Sequence, residues 1–200
     1  MNAKPAIPAS ADDITAPWLT DVLRQSGAIE EAQVTETAVE QVGAGVGIMG
    51  ELYRVALAYD VADRGAPASV VVKLPSPYEA NRAQGVSLGM YEAEIRFYNE
   101  LAGRTLTRTP KAYFADIVSG TADFVMVMED LGDLTMADQI EGMTVSQAER
   151  AALALADLHA GWWGKVQTPE LEWVPSVVHG FPDAGAEVMY SWPRVTGEPA

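Results

Sequence analysis

GAGVGIMGELYRVALAY, residues 43–59, sets Gly43, Gly45, Gly47 and Gly50 immediately ahead of a stretch that alternates like a strand. Gly45 to Gly50 spells G-x-G-x-x-G, a spacing shared by several nucleotide-binding loops and by plain flexible turns. The residues that follow separate these cases. In a dinucleotide fold the glycines open a helix whose N-terminus receives the pyrophosphate. Here Tyr53, Val55, Leu57 and Tyr59 share one face at period two, so a strand follows. A dinucleotide-dependent oxidoreductase is set aside on this ground. A Walker loop is set aside too, because no Gly-Lys-Ser/Thr is present. What is left is a hairpin whose glycines let backbone N–H groups approach phosphates, or one that is merely glycine-rich.

Upstream of the glycines, Val34 to Val42 reads as a strand. Downstream, the turn ADRGAPA leads into SVVVKLP (69–75), β-branched and nearly continuous as a buried strand is. A helix is predicted over 87–101, carrying Tyr91, Glu94, Ile95, Tyr98 and Leu101, with Pro110 marking its far connection. KAYFADIV and DFVMVME are two further strands, joined by SGTA as a hairpin. Before the sheet, Thr15 as N-cap, Pro17 in the first turn, the stripe Trp18, Leu19, Val22, Leu23 and a terminating Gly27 predict a short helix. After it, a short helix is expected over 134–142. A longer one opens on a Thr144/Gln147 capping box and carries Ala151, Ala152, Leu155, Leu158, His159 and Trp162 on one stripe. The sum is an α+β arrangement: a five-stranded antiparallel sheet with one helix packed on it, followed by an incomplete helical lobe. Residues 1–13 are expected as a flexible tail, 14–130 as the sheet lobe, and 131–200 as a linker and the start of the helical lobe.

The bulk composition narrows the partners. Thirteen basic against 28 acidic residues give a net charge of −15, which repels nucleic-acid backbones and anionic lipid as main partners. A nucleotide stays open, since a local pocket can be positive inside a negative field. There is no cysteine, so disulfides and thiolate metal sites are excluded, and His159 and His179 alone make a zinc site improbable. The N-terminus lacks the apolar core of a secretion signal and no apolar run approaches a membrane span, so a cytoplasmic protein is expected.

Lys73 closes a run of three valines, and burying an ammonium there is costly unless an anion meets it. One reading is a lysine on an edge strand whose stem snorkels to water. The other pairs it with Glu94, on the apolar side of the next helix; the phases of Glu92 and Glu100 point them elsewhere. Such a pair holds a lysine against the α- and β-phosphates of ATP. Phe124, Met126 and Met128 alternate with Val125 and Val127 and are foremost strand core. Glu129 and Asp130, adjacent on an extended segment, point to opposite sides and cannot jointly flank one bond. His159 is expected as a partly buried helix residue. His179 lies in HGFPDAG, where Phe181 stands in place of the Asp of a His-Gly-Asp catalytic loop and Ala186 in place of its Asn.

Taken together, GIMGELYRV, VVKLP, EIRFYNELA, FVMVMEDL and LADLHAGWWG, in that order, resemble the phosphotransferase superfamily of aminoglycoside and choline kinases, closest to its ecdysteroid-kinase-like branch. The likeness covers roughly residues 15–175, the N-terminal part of such a kinase. It implies a protein-kinase-like N-lobe in which Gly45, Gly47 and Gly50 cover the triphosphate, Lys73 contacts the phosphates and Glu94 orients it. The backbone of Met128, Glu129 and Leu131 would form the hinge for adenine. The implied cofactors are ATP and Mg2+, with the magnesium ligands and the catalytic Asp and Asn in a later segment. The expectation is therefore the nucleotide-binding portion of an ATP-dependent kinase for a small-molecule hydroxyl, inactive by itself. The alternative is a non-catalytic nucleotide-binding or interaction module derived from one. An incomplete second lobe would leave apolar surface around Leu155 and Leu158, which a homodimer could cover.

Overall fold

The computed structural model describes residues 4–43, 49–132, 134 and 141–174. Its centre is one antiparallel sheet of β1 (Val34–Val42), β2 (Gly50–Tyr59), β3 (Ser69–Pro75), β4 (Ala112–Ile117) and β5 (Phe124–Glu129). The strands lie in the order β1-β2-β3-β5-β4. Sequence neighbours β1, β2 and β3 pair through hairpins, and β5 folds back on β4 through a turn at Gly120 (φ 74°). The β3–β5 pairing joins the two sets, with Val71 opposite Met128 and Lys73 opposite Met126.

Period two sorts the side chains between two cores. On one face Val55, Val70, Val72, Leu74, Val125 and Val127 are buried beneath α1 (Ala16–Gln25), whose Leu19, Val22 and Leu23 are wholly inaccessible. Each of those three contributes about 1.5–3 kcal/mol by leaving water. The helix begins where Thr15 accepts from the Trp18 amide and ends at Gly27, which takes φ 69°. On the opposite face Phe124, Met126 and Met128 pack against Tyr91 and Ile95. Each face thus has its own helix, where one packed helix was expected.

Those last two residues belong to α3 (Met90–Arg96), which continues as a π-helical turn over Phe97–Leu101 and a 3-10 turn over Ala102–Arg104. The sequence predicts a single helix over 87–101. Instead a separate α2 (Glu79–Ser87) precedes it, and Gly89 at φ 63° breaks the two apart. Gly85 of α2 lies directly against the Tyr91 ring, where any Cβ would collide. Residues 4–13, expected as a loose tail, lie against the lobe: Ile7 and Ala11 pack on the α1-side core, and the Ala6 carbonyl accepts from Trp18 Nε1 at 2.8 Å. Short apolar contacts scattered among prolines produce no periodicity, which is why the sequence pattern conceals them.

Beyond the sheet, α4 (Val145–Trp162) opens on the expected Thr144/Gln147 capping box and ends before Gly164 (φ 70°). It meets the lobe through Thr107 Oγ1, which donates to the Ala154 carbonyl at 2.8 Å, and through Leu106 against Gly161. No residue of α4 is buried; Leu155 is 51% exposed, and His159, expected partly buried, is exposed. The chain divides into two compact units, Met1–Trp163 and Gly164–Ala200. In the second, a 3-10 turn spans Pro169–Leu171. The helix expected over 134–142 and His179 lie outside the described residues. Among the described residues no helix is long and apolar enough to cross a membrane.

Candidate functional site

Strand phase dictates which residues line the α3 side of the sheet. Directly paired residues of antiparallel strands share a face, so Leu52, Lys73 and Met126 form one row and Arg54, Val71 and Met128 the next. Lys73 is the one cation in the first row. Its stem is covered by the sheet and its ammonium meets Glu94 of α3, with Nζ 2.7 Å from Oε1 and 2.6 Å from Oε2. The two side chains are 20% and 34% exposed, so the charge is shielded without being sealed from solvent. Glu94 reaches it because Tyr91 and Ile95, one turn back and one residue on, anchor the helix to the sheet. Tyr91 lies 4.8 Å from Phe124, ring to ring. The rival acids are engaged elsewhere: Glu92 accepts from Ser119, and Glu100 pairs with Arg96 at 2.7 Å.

Gly50 opens β2 opposite Pro75. Its backbone angle places no demand for glycine, but its surroundings do. A Cβ there would stand 2.8 Å from the Leu74 carbonyl oxygen and 3.2 Å from Lys73 Cε. The hairpin therefore presses against the stem of Lys73 as only a residue without a side chain can. Gly43 enters the loop at φ 65°, while Gly45 and Gly47 lie outside the described residues. An ammonium held by one acid beside a backbone that approaches it without a side chain has the chemistry that the phosphate portion of a nucleotide requires.

At the other end of the same face β5 leaves the sheet. Met128 is buried, and Glu129 and Asp130 take separate sets of partners. Glu129 accepts from Arg108 Nη2 at 2.8 Å and from the Lys111 amide. Asp130 Oδ2 accepts from Arg54 Nε at 2.9 Å and from Ser69 Oγ at 2.7 Å, while its Oδ1 accepts from the Gly132 amide. Burial alone would raise the Asp130 pKa. The bonds from Ser69, Arg54 and Gly132 outweigh it and hold the carboxyl below the ordinary carboxylate value. Arg54 and Ser69 were missed by the sequence reading. The available signal was phase: both alternate with core residues and so face the Lys73 side. Leu131, expected in the hinge, follows this cluster directly. Among the described residues no group of three His, Asp or Glu side chains gathers as a metal site requires.

The sheet order, the helix bringing an acid to the third strand and the exit of β5 along one face are those of the smaller lobe of a kinase-like fold. Sequence comparison gives the same class independently: the profile of the ecdysteroid kinase-like family matches residues 44–170, from the glycine stretch to the turn beyond α4. The chain belongs to the ecdysteroid kinase-like family, within the superfamily of aminoglycoside and choline kinases, and membership implies a kinase-like phosphotransferase. No curated protein matches the chain.

Proposed function

We propose that residues 14–130 form the ATP-binding lobe of a kinase that phosphorylates a small-molecule hydroxyl, with 131–200 forming the linker and the start of the helical lobe. Lys73 contacts the α- and β-phosphates, Glu94 fixes its ammonium, and Gly45, Gly47 and Gly50 bring backbone N–H groups over the triphosphate. The backbone of Met128, Glu129 and Leu131 meets the adenine. The observation that carries this reading is the Lys73–Glu94 contact beneath Gly50. A cation held so by one acid keeps its place without ligand and adds attraction when phosphate arrives. ATP supplies the transferable phosphoryl group and Mg2+ screens its charge; no described residue is assigned to the metal.

Calorimetry and thermal melting test the pocket together. Ligand that binds the native state alone stabilises it, by about 2.7 kcal/mol at a hundredfold excess over Kd. MgATP is expected to raise the melting midpoint of the wild-type chain and to raise that of Lys73→Met far less at the same concentration. An equal rise in both would remove the proposed site.

The sequence contains no His-Gly-Asp, since His159 precedes Ala160 and His179-Gly180 precedes Phe181. Without an Asp to position the acceptor hydroxyl, transfer loses several powers of ten. Residues 1–200 by themselves therefore bind nucleotide without turning it over, and steady release of labelled phosphate by the purified chain would refute this. The exposed face of α4 around Leu155 is the proposed self-association surface, testable by light scattering.

A further inference from the structure

The point where β5 becomes linker is gripped from both sides by two adjacent acids. Glu129 ties it to residues 108 and 111, and Asp130 ties it to β2 and β3. The two oxygens of Asp130 divide the work. Oδ2 holds the sheet through Arg54 and Ser69, and Oδ1 takes the Gly132 amide two residues on, a turn that sets the direction in which the chain departs. Gly132 then lies so close to the guanidinium that a Cβ would stand 2.7 Å from Arg54 Nη2 and 3.1 Å from Asp130 Oδ1. Three segments far apart in sequence converge here, and the Asp130 side chain is only 10% exposed. The cluster shares the sheet face of Lys73. Its row, Arg54–Val71–Met128, lies two residues along the strands from the row of Lys73, about 7 Å.

We propose that the Arg54–Asp130–Ser69 bracket is a positioning device that sets which nucleotide base the site accepts, by fixing the backbone at 130–132 at the far end of the face that carries Lys73. The inference rests on the reading that residues 128–131 meet the base. An extended linker has two soft dihedrals per residue, so unsupported carbonyl and amide groups would match adenine and guanine edges indifferently. Two bonds from the sheet and one from the linker converge on a single carboxylate and remove that freedom. The phosphates, gripped by Lys73, are outside the bracket's reach. Base selectivity and phosphate affinity are thereby separable.

Titration calorimetry of the whole chain with MgATP, MgGTP and magnesium tripolyphosphate separates them. Wild type is expected to bind all three and to prefer ATP over GTP. Asp130→Asn and Arg54→Lys are expected to weaken ATP about tenfold, the worth of one charge-assisted hydrogen bond. Tripolyphosphate is expected to stay within about twofold and the preference for ATP to shrink. Ser69→Ala, which removes a single bond, carries the same test at about threefold should the other variants fail to fold. Equal weakening of all three ligands would make the bracket a general scaffold and overturn the inference, as would unchanged ATP affinity in a folded variant. Wild type that binds tripolyphosphate without distinguishing the bases would overturn this inference alone. Failure to bind any of the three would remove the nucleotide site itself.

Discussion

Two ion pairs sit on one face of one sheet and are built in opposite ways. Lys73 and Glu94 form a closed couple: both acid oxygens turn to one ammonium, and the acid is the more exposed partner. Arg54 and Asp130 form a branched one: the acid is nearly buried and also serves Ser69 and Gly132, while the cation is 41% exposed. Removing a buried charge's partners leaves a desolvated group behind, whereas an exposed group returns to water. The couple is therefore suited to present a charge, and the branched cluster to hold chain segments together. In the proposed site the first would serve an incoming anion, and the second holds the backbone around it.

The contrast can be broken at four points. Lys73→Met should weaken MgATP on the order of a hundredfold, about 2.7 kcal/mol, while lowering unliganded stability by no more than about 1 kcal/mol, since Glu94 is left half-solvated. Calorimetry and urea denaturation read the two quantities separately. Asp130→Ala should show the reverse weighting, costing about 2–3 kcal/mol of stability because three donors lose one acceptor. An equal stability loss in both variants would erase the distinction. Acid sharpens it. The folded pKa of Asp130 lies below its ordinary 3.8, so its contribution is fully present above that value and lost as pH falls through the folded one. Urea midpoints of wild type and Asp130→Asn should accordingly stay apart at and above about pH 5, with wild type the more stable, and converge only as pH falls below 3.8. The smallest effect is expected at Glu129→Gln. Arg108 there is 60% exposed, so stability should change by less than about 1 kcal/mol.

Much of this architecture is legible in the sequence, for reasons particular to each element. β2 announces itself by alternation, while β3, covered on both faces of the sheet, is legible as a short and nearly continuous β-branched run. The acid on α3 is legible because helical phase puts Glu94 beside Tyr91 and Ile95 while turning Glu92 and Glu100 away. α2 is not legible: of its residues only Gly85 is buried, and a helix without an apolar stripe leaves no period to read. Nor is the join between β3 and β5, since no turn links them and only the finished sheet sets their register. Arg54 and Asp130 stand 76 residues apart, and nothing local marks either as the other's partner.

One further consequence follows from where the sheet stops. Strand β1 is an outer strand of nine residues, long enough to template another chain, and such margins are where sheets grow into aggregates. Glu36 and Glu40 sit along it, both exposed. Two copies brought margin to margin would align carboxylate against carboxylate on molecules that each already carry fifteen surplus negative charges. The acidity of the chain thus works against the lobe zipping onto its own twin.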